Sequence, residues 1–206
     1  MEHKDVYAEI SSIKNMMERS TKFISLSGLS GVMAGIYALI GAAIGYKLLY
    51  GDFDPYVRDY NEWLTWQLLA VACGVLVLSV GTGLLLTVRK ARRKRQTIWN
   101  PTSRALLVSG SLPLFTGGAF AMILIWQGHY GVIAATCLIF YGLALVAASQ
   151  HTFGDVKWLG ICDIILGLIA AAMPGFGLMF WAMGFGVLHI VYGTIMHFKY
   201  DRENIA

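Results

Sequence analysis

A chain of 206 residues that is 57% hydrophobic, 14% charged and of net charge +4, with a mean hydropathy of +0.61, lies outside the range of soluble domains, where about a quarter of residues are charged. That balance excludes an ordinary water-soluble enzyme or binding module and points to a bilayer. The 23 glycines against 4 prolines fit that setting, because small residues let transmembrane helices approach closely.

Residues 1–22 open with mixed charge, and the apolar run behind them is too long for a signal-peptide core. Val6, Ile10, Ile13 and Met17 recur at helical spacing while Lys4, Asp5, Glu9, Lys14, Glu18 and Arg19 take the other faces, which predicts an amphipathic helix on the membrane surface. The same helix offers a docking face for a protein partner or a second copy of the chain.

The first span is expected over residues 23–49, with Gly31 and Gly35, then Gly41 and Gly45, as small-xxx-small pairs for helix packing. An acidic, aromatic loop follows. The second span is expected over residues 63–88, with Trp63 and Trp66 at an interfacial aromatic belt. Behind it stands the basic block Arg89, Lys90, Arg92, Arg93, Lys94 and Arg95. Short basic loops beside spans set orientation during insertion, and this one would also attract anionic lipid headgroups at about 1 kcal/mol per basic residue. No nucleic-acid module accompanies it, so no nucleic-acid partner is expected.

The third span is expected over residues 104–126 with a kink at Pro113, the fourth over 131–149, the fifth over 156–173 and the sixth over 177–197, leaving a tail at 198–206. The expected fold is therefore an all-α integral membrane protein of six spans in three hairpins. A short internal echo agrees: Lys22 precedes Ser27-Gly28 by five residues, Arg104 precedes Ser109-Gly110 by five, and Lys157 precedes Cys162-Asp163 by five. Of the 16 lysines and arginines, only Lys47 and Arg58 fall on the far side of this arrangement, so the positive-inside rule places both termini in the cytoplasm.

The hairpin from residue 156 to 199 carries the two ionisable residues that interrupt the spans most deeply, Asp163 and His189. Such groups are retained in hydrocarbon where they face protein or water and have a partner. Counted from the span ends at 1.5 Å per residue, both lie roughly 10–12 Å below the same face. Ser30, Ser79, Ser111 and Tyr141 reach comparable depth by the same count, so a polar layer is expected, serving either as interhelical hydrogen bonding or as a ligand or proton site. Asp163 and His189 are expected to face each other and to titrate as a coupled pair.

Catalysis is not expected, for no metalloprotease, hydrolase-elbow or phosphate-loop motif occurs. Cys162 and Asp163 point about 100° apart on a helix and cannot easily serve one centre. The cysteines Cys73, Cys137 and Cys162 are odd in number and lie in apolar runs, so no disulfide, metal or cofactor is expected. With its glycine-rich spans and its turn after Met173-Pro174, the chain resembles small six-span bacterial inner-membrane proteins in architecture only, and no functional residue follows from that. Two functions remain: a small-solute or proton-linked transporter or channel, and a non-transporting accessory or regulatory membrane protein.

Overall fold

The computed structural model describes residues 27–51, 62–93 and 97–201. The expected surface helix at 1–22, most of the acidic loop, Lys94 and Arg95 of the basic block, and residues 202–206 lie outside the described residues. Among the described residues the chain is helical and contains no strand.

Six long helical segments follow one another: α1 (Gly28–Tyr50), α2 (Glu62–Arg93), α3 (Pro101–Trp126), α4 (Ile133–Ala148), α5 (Asp155–Ala172) and α6 (residues 177–201). Single 3-10 turns extend α4 at both ends, Tyr130–Val132 and Ser149–His151. Five segments are long and apolar enough to cross a membrane: α1, α2, α3, α4 with its two 3-10 turns, and α6. The other, α5, is 18 residues long, roughly 27 Å at 1.5 Å per residue, and carries Asp155, Lys157 and Asp163.

Several ends differ from the sequence expectation, each for a local reason. Ser27 is in extended conformation and the helix behind it begins at Gly28, while residues 23–26 of the expected first span lie outside the described residues. The second helix continues past residue 88 to Arg93, because arginine and lysine are good helix formers and their charge suits a helix C-terminus. The third starts at Pro101 rather than Arg104: the Asn100 side chain accepts from the Ser103 amide at 2.7 Å, and the Ser103 hydroxyl accepts from the Asn100 amide at 3.0 Å. Pro113 sits inside α3, which runs uninterrupted from Pro101 to Trp126. Helix α6 continues into the expected tail, to Asp201.

Two turns show why the chain reverses where it does. After α3, Gly128 adopts φ +76°, and the amides of Gly128 and His129 bond to Ile125 and Leu124 carbonyls at 3.0 and 2.8 Å, a Schellman closure that favours glycine. After α5, Pro174 and Gly175 occupy the centre of a turn in which the Phe176 amide bonds to the Met173 carbonyl at 3.3 Å. Gly175 has φ +103°, the conformation a type II turn requires at that position.

Packing is built on backbone-close crossings. A Cβ on Gly193 of α6 would lie 2.5 Å from the Val32 amide nitrogen and 2.8 Å from the Gly28 carbonyl oxygen, so α1 and α6 meet nearly backbone to backbone. The α4–α5 crossing is reciprocal: a Cβ on Gly142 would lie 2.5 Å from the Gly160 carbonyl oxygen, and one on Gly160 2.6 Å from that of Gly142. Such approach maximises dispersion contact between the backbones. Of the four glycines singled out in α1, Gly31 and Gly35 lie against α6, while Gly41 and Gly45 face Val75 and Leu68 of α2 together with Trp181 and Leu178 of α6.

The order of packing runs from α2 to α1 to α6, then to the α4–α5 pair, with α3 outside α4. A small core of Ala135, Leu138, Ala170 and Phe180 lies where α4, α5 and α6 converge. At the end that holds Ser27 and residue 201, Lys90 of α2 stands over the Phe153 ring. Phe153 stacks on Tyr200 at 4.0 Å, and Tyr200 and Lys199 both bond to Asp155, at 2.6 and 3.0 Å.

Candidate functional site

The polar centre is made by α4, α5 and α6. Along α6 the backbone passes from α-helix to a π-helical segment at Ala182–Leu188 and back to α-helix at His189. Within that segment Gly184 turns its bare Cα toward Leu138 of α4 and Asp163 of α5. π segments are rare and recur at functional sites, because they turn side chains and carbonyls out of the regular helical register.

His189 is nearly fully buried. Its Nδ1 lies 2.8 Å from the Gly184 carbonyl oxygen, and its Nε2 lies 2.8 Å from the Tyr141 hydroxyl of α4. A carbonyl can only accept, so Nδ1 carries the hydrogen; in the neutral ring Nε2 is then an acceptor and the Tyr141 hydroxyl donates to it. Aromatic contacts hold both rings. Tyr141 lies 5.0 Å from Phe185, Phe185 lies 6.0 Å from His189, and Trp181 lies 5.4 Å from Phe185, measured between ring centroids.

Asp163 of α5 has no exposed surface. Its Oδ1 lies against Gly184, where a Cβ would come within 2.9 Å of it and would also strike Leu138. Among the described residues neither carboxyl oxygen has a hydrogen-bond partner. That is unusual, since buried polar atoms are nearly always bonded and an unsatisfied one costs about 1–3 kcal/mol.

The structure thus brings Asp163 and His189 to Gly184, with Tyr141 on His189, but not in the expected direct pairing. The imidazole is committed to Tyr141 and Gly184, and the carboxyl accepts from no group. The serines stand apart. The Ser30 hydroxyl bonds to the Ser27 carbonyl at 2.5 Å and Ser111 to the Val108 carbonyl at 2.9 Å, each within its own helix, the usual fate of a hydroxyl in an apolar helix. Ser79 lies half-exposed on α2. Cys162, next to Asp163, turns to the outer groove with Ile165, Met183 and Val187. Among the described residues no group of three metal-ligating side chains gathers.

Gly184, Phe185 and Trp181 belong to the site although sequence reasoning passed over them. A usable signal was present in Gly184-Phe185-Gly186, two small residues flanking an aromatic within an otherwise bulky apolar run. No family model, curated protein or solved structure matches the chain.

Proposed function

We propose that the protein is a six-span integral membrane protein of an inner (plasma) membrane, with cytoplasmic termini, and that Asp163 is the proton-binding centre of a proton-linked small-solute transporter or channel. The observation that carries this reading is the Asp163 carboxyl: wholly buried, with both oxygens unpartnered, beside a π-helical segment. A structural carboxyl in hydrocarbon is held by donors. One without donors is an open acceptor for an incoming proton or cation.

The membrane reading is supported by five apolar helices and by the outward side chains. Leu85, Phe115 and Trp126 are 72%, 78% and 87% exposed, and apolar surface on that scale belongs against lipid rather than water. For α5 the support is its seat: its Asp163 is turned into the protein, which lets a helix with three charged residues cross.

Tyr141 and His189 supply the chemistry of transfer. When His189 Nε2 takes a proton, both ring nitrogens donate, and the Tyr141 hydroxyl must turn from donor to acceptor. Its hydrogen is released to rotate toward another acceptor, and the Asp163 oxygens are unfilled. In this reading the protonation state of His189 sets the orientation of the Tyr141 hydroxyl.

The test is proton flux into liposomes bearing the purified protein, read with an enclosed pH dye under an imposed potential. Wild-type flux with loss in both Asp163→Asn and Tyr141→Phe is expected; flux unchanged in Asp163→Asn overturns the assignment. Orientation is tested in a cysteine-less background, where a cysteine placed at Asp54 should be labelled from outside and one at Lys94 should not.

A second reading, a non-transporting accessory protein, is favoured by the closure of the cluster, since Asp163 has no surface open to either side. It predicts no flux in any variant.

A further inference from the structure

At the opposite end of the bundle from Asp155 and Tyr200, a cavity of about 260 Å³ lies between α1 and α2 on one side and α4 and α6 on the other. Its small lining residues, Gly41, Ala72, Ala134 and Cys137, leave the space, and Trp181 forms one wall. No charged side chain lines it among the described residues. Tyr50, Thr65 and Tyr130 also line it, each within a few residues of a helix end, so the polar atoms gather at the mouth while the depth is apolar.

We infer that this cavity binds one acyl chain of a bilayer lipid. Three observations choose that occupant. An apolar cavity of ~150 Å³ stays dry and takes a small hydrocarbon, whereas water needs two to four polar partners; this cavity is larger, and its deeper walls offer no such set. Helices α2 and α3 make few contacts with one another, and among the described residues α3 reaches the cavity through Ile125, next to its last residue, so the side between α2 and α3 is left open over most of its length. The helices on either side of that opening are covered with exposed apolar groups such as Leu76, Leu84 and Phe115, so a chain entering there leaves one hydrocarbon surface for another. An apolar depth with a hydroxyl-bearing rim matches a chain joined to a headgroup at its end.

The cavity touches the polar centre through one side chain. Trp181 is both a wall of the cavity and a ring neighbour of Phe185, and Phe185 meets Tyr141 at a tilt and stacks with His189. Trp181 is the last α-helical residue before the π segment. A chain in the cavity therefore presses on the segment that presents Gly184 to Asp163.

The inference rests on the membrane-spanning reading above and not on Asp163 carrying a proton. Its test uses a variant in which Trp181 is the only tryptophan, reconstituted in phosphatidylcholine vesicles with or without brominated acyl chains. Bromine quenches indole emission at contact. Loss of Trp181 emission in brominated vesicles is expected, with recovery in Ala72→Phe and in Ala134→Leu, which fill the cavity from opposite walls. Quenching unchanged by both fillings means that the chains touch Trp181 from outside and overturns the inference. So does absence of quenching in the parent, the result if residues 52–61 or a second copy of the chain fill the cavity. Asp163→Asn should leave quenching unaltered, so failure of the proton site and failure of the lipid site are read separately.

Discussion

Replacing Asp163 by alanine should stabilise the protein while removing its proposed activity. The carboxyl has zero exposure and no hydrogen bond, so its deletion relieves an unsatisfied polar group worth about 1–3 kcal/mol. Against that stands the hole left behind, about the volume of one water, ~30 Å³, which at ~24 cal/mol per Å³ costs about 0.7 kcal/mol. Alanine is also the better helix former, by about half a kcal/mol. The sum is a gain of roughly 1–3 kcal/mol, opposite in sign to most buried substitutions. Reversible unfolding in lipid–detergent bicelles reads it directly, alongside the liposome flux assay on the same preparations. A loss of more than about 1 kcal/mol in Asp163→Ala would mean that the carboxyl has a stabilising partner, and the reading of it as an open acceptor would be refuted.

Four further substitutions test the surroundings. Tyr141→Phe leaves His189 Nε2 buried without its 2.8 Å partner, so it should destabilise by about 1–3 kcal/mol in the same bicelle measurement, the reverse of Asp163→Ala although both residues serve one site. Gly142→Val places a side chain where even a Cβ would sit 2.5 Å from the Gly160 carbonyl oxygen. It should cost at least about 1–3 kcal/mol by overpacking. Gly74→Ala, with nothing within 4 Å of the new Cβ, should by contrast be neutral or stabilising by up to about 1 kcal/mol; equal losses in the two would dissolve the α4–α5 crossing argument. Asp155→Asn removes an ion pair whose lysine is 53% exposed, so its effect on unfolding should stay within about 1 kcal/mol. A larger loss would mean that the Asp155, Lys199 and Tyr200 contact is more than a surface fastening.

Much of the architecture follows from local chemistry alone. Long apolar runs dictate helices of spanning length, because in hydrocarbon only an internally bonded backbone is tolerated. Pro174-Gly175 and Gln127-Gly128 dictate where the chain reverses, since glycine alone takes those positive φ values without cost. The depth of Asp163 and His189 in the last hairpin is likewise a matter of counting residues. The start of α3 was also legible, in Asn100-Pro101 followed by Ser103, a cap signal passed over in favour of the charge at Arg104.

What the sequence could not determine is how each helix is turned about its own axis. A helix that is apolar on every side has no polar face to mark its exterior, so its rotation is decided by where small residues allow backbones to meet. That is why equal depth did not bring Ser30, Ser79 and Ser111 to Asp163: a hydroxyl that finds no neighbour bonds to its own helix, as Ser30 and Ser111 do. It is also why His189 reaches Tyr141 rather than Asp163. The π segment at Ala182–Leu188 shifts the register of α6 by an amount no periodicity in the sequence announces, and Gly184 offers its carbonyl to the imidazole and its bare Cα to the carboxyl. Counting along the sequence singled out Asp163, Tyr141 and His189; the close contact of glycine backbones decided which side chains meet.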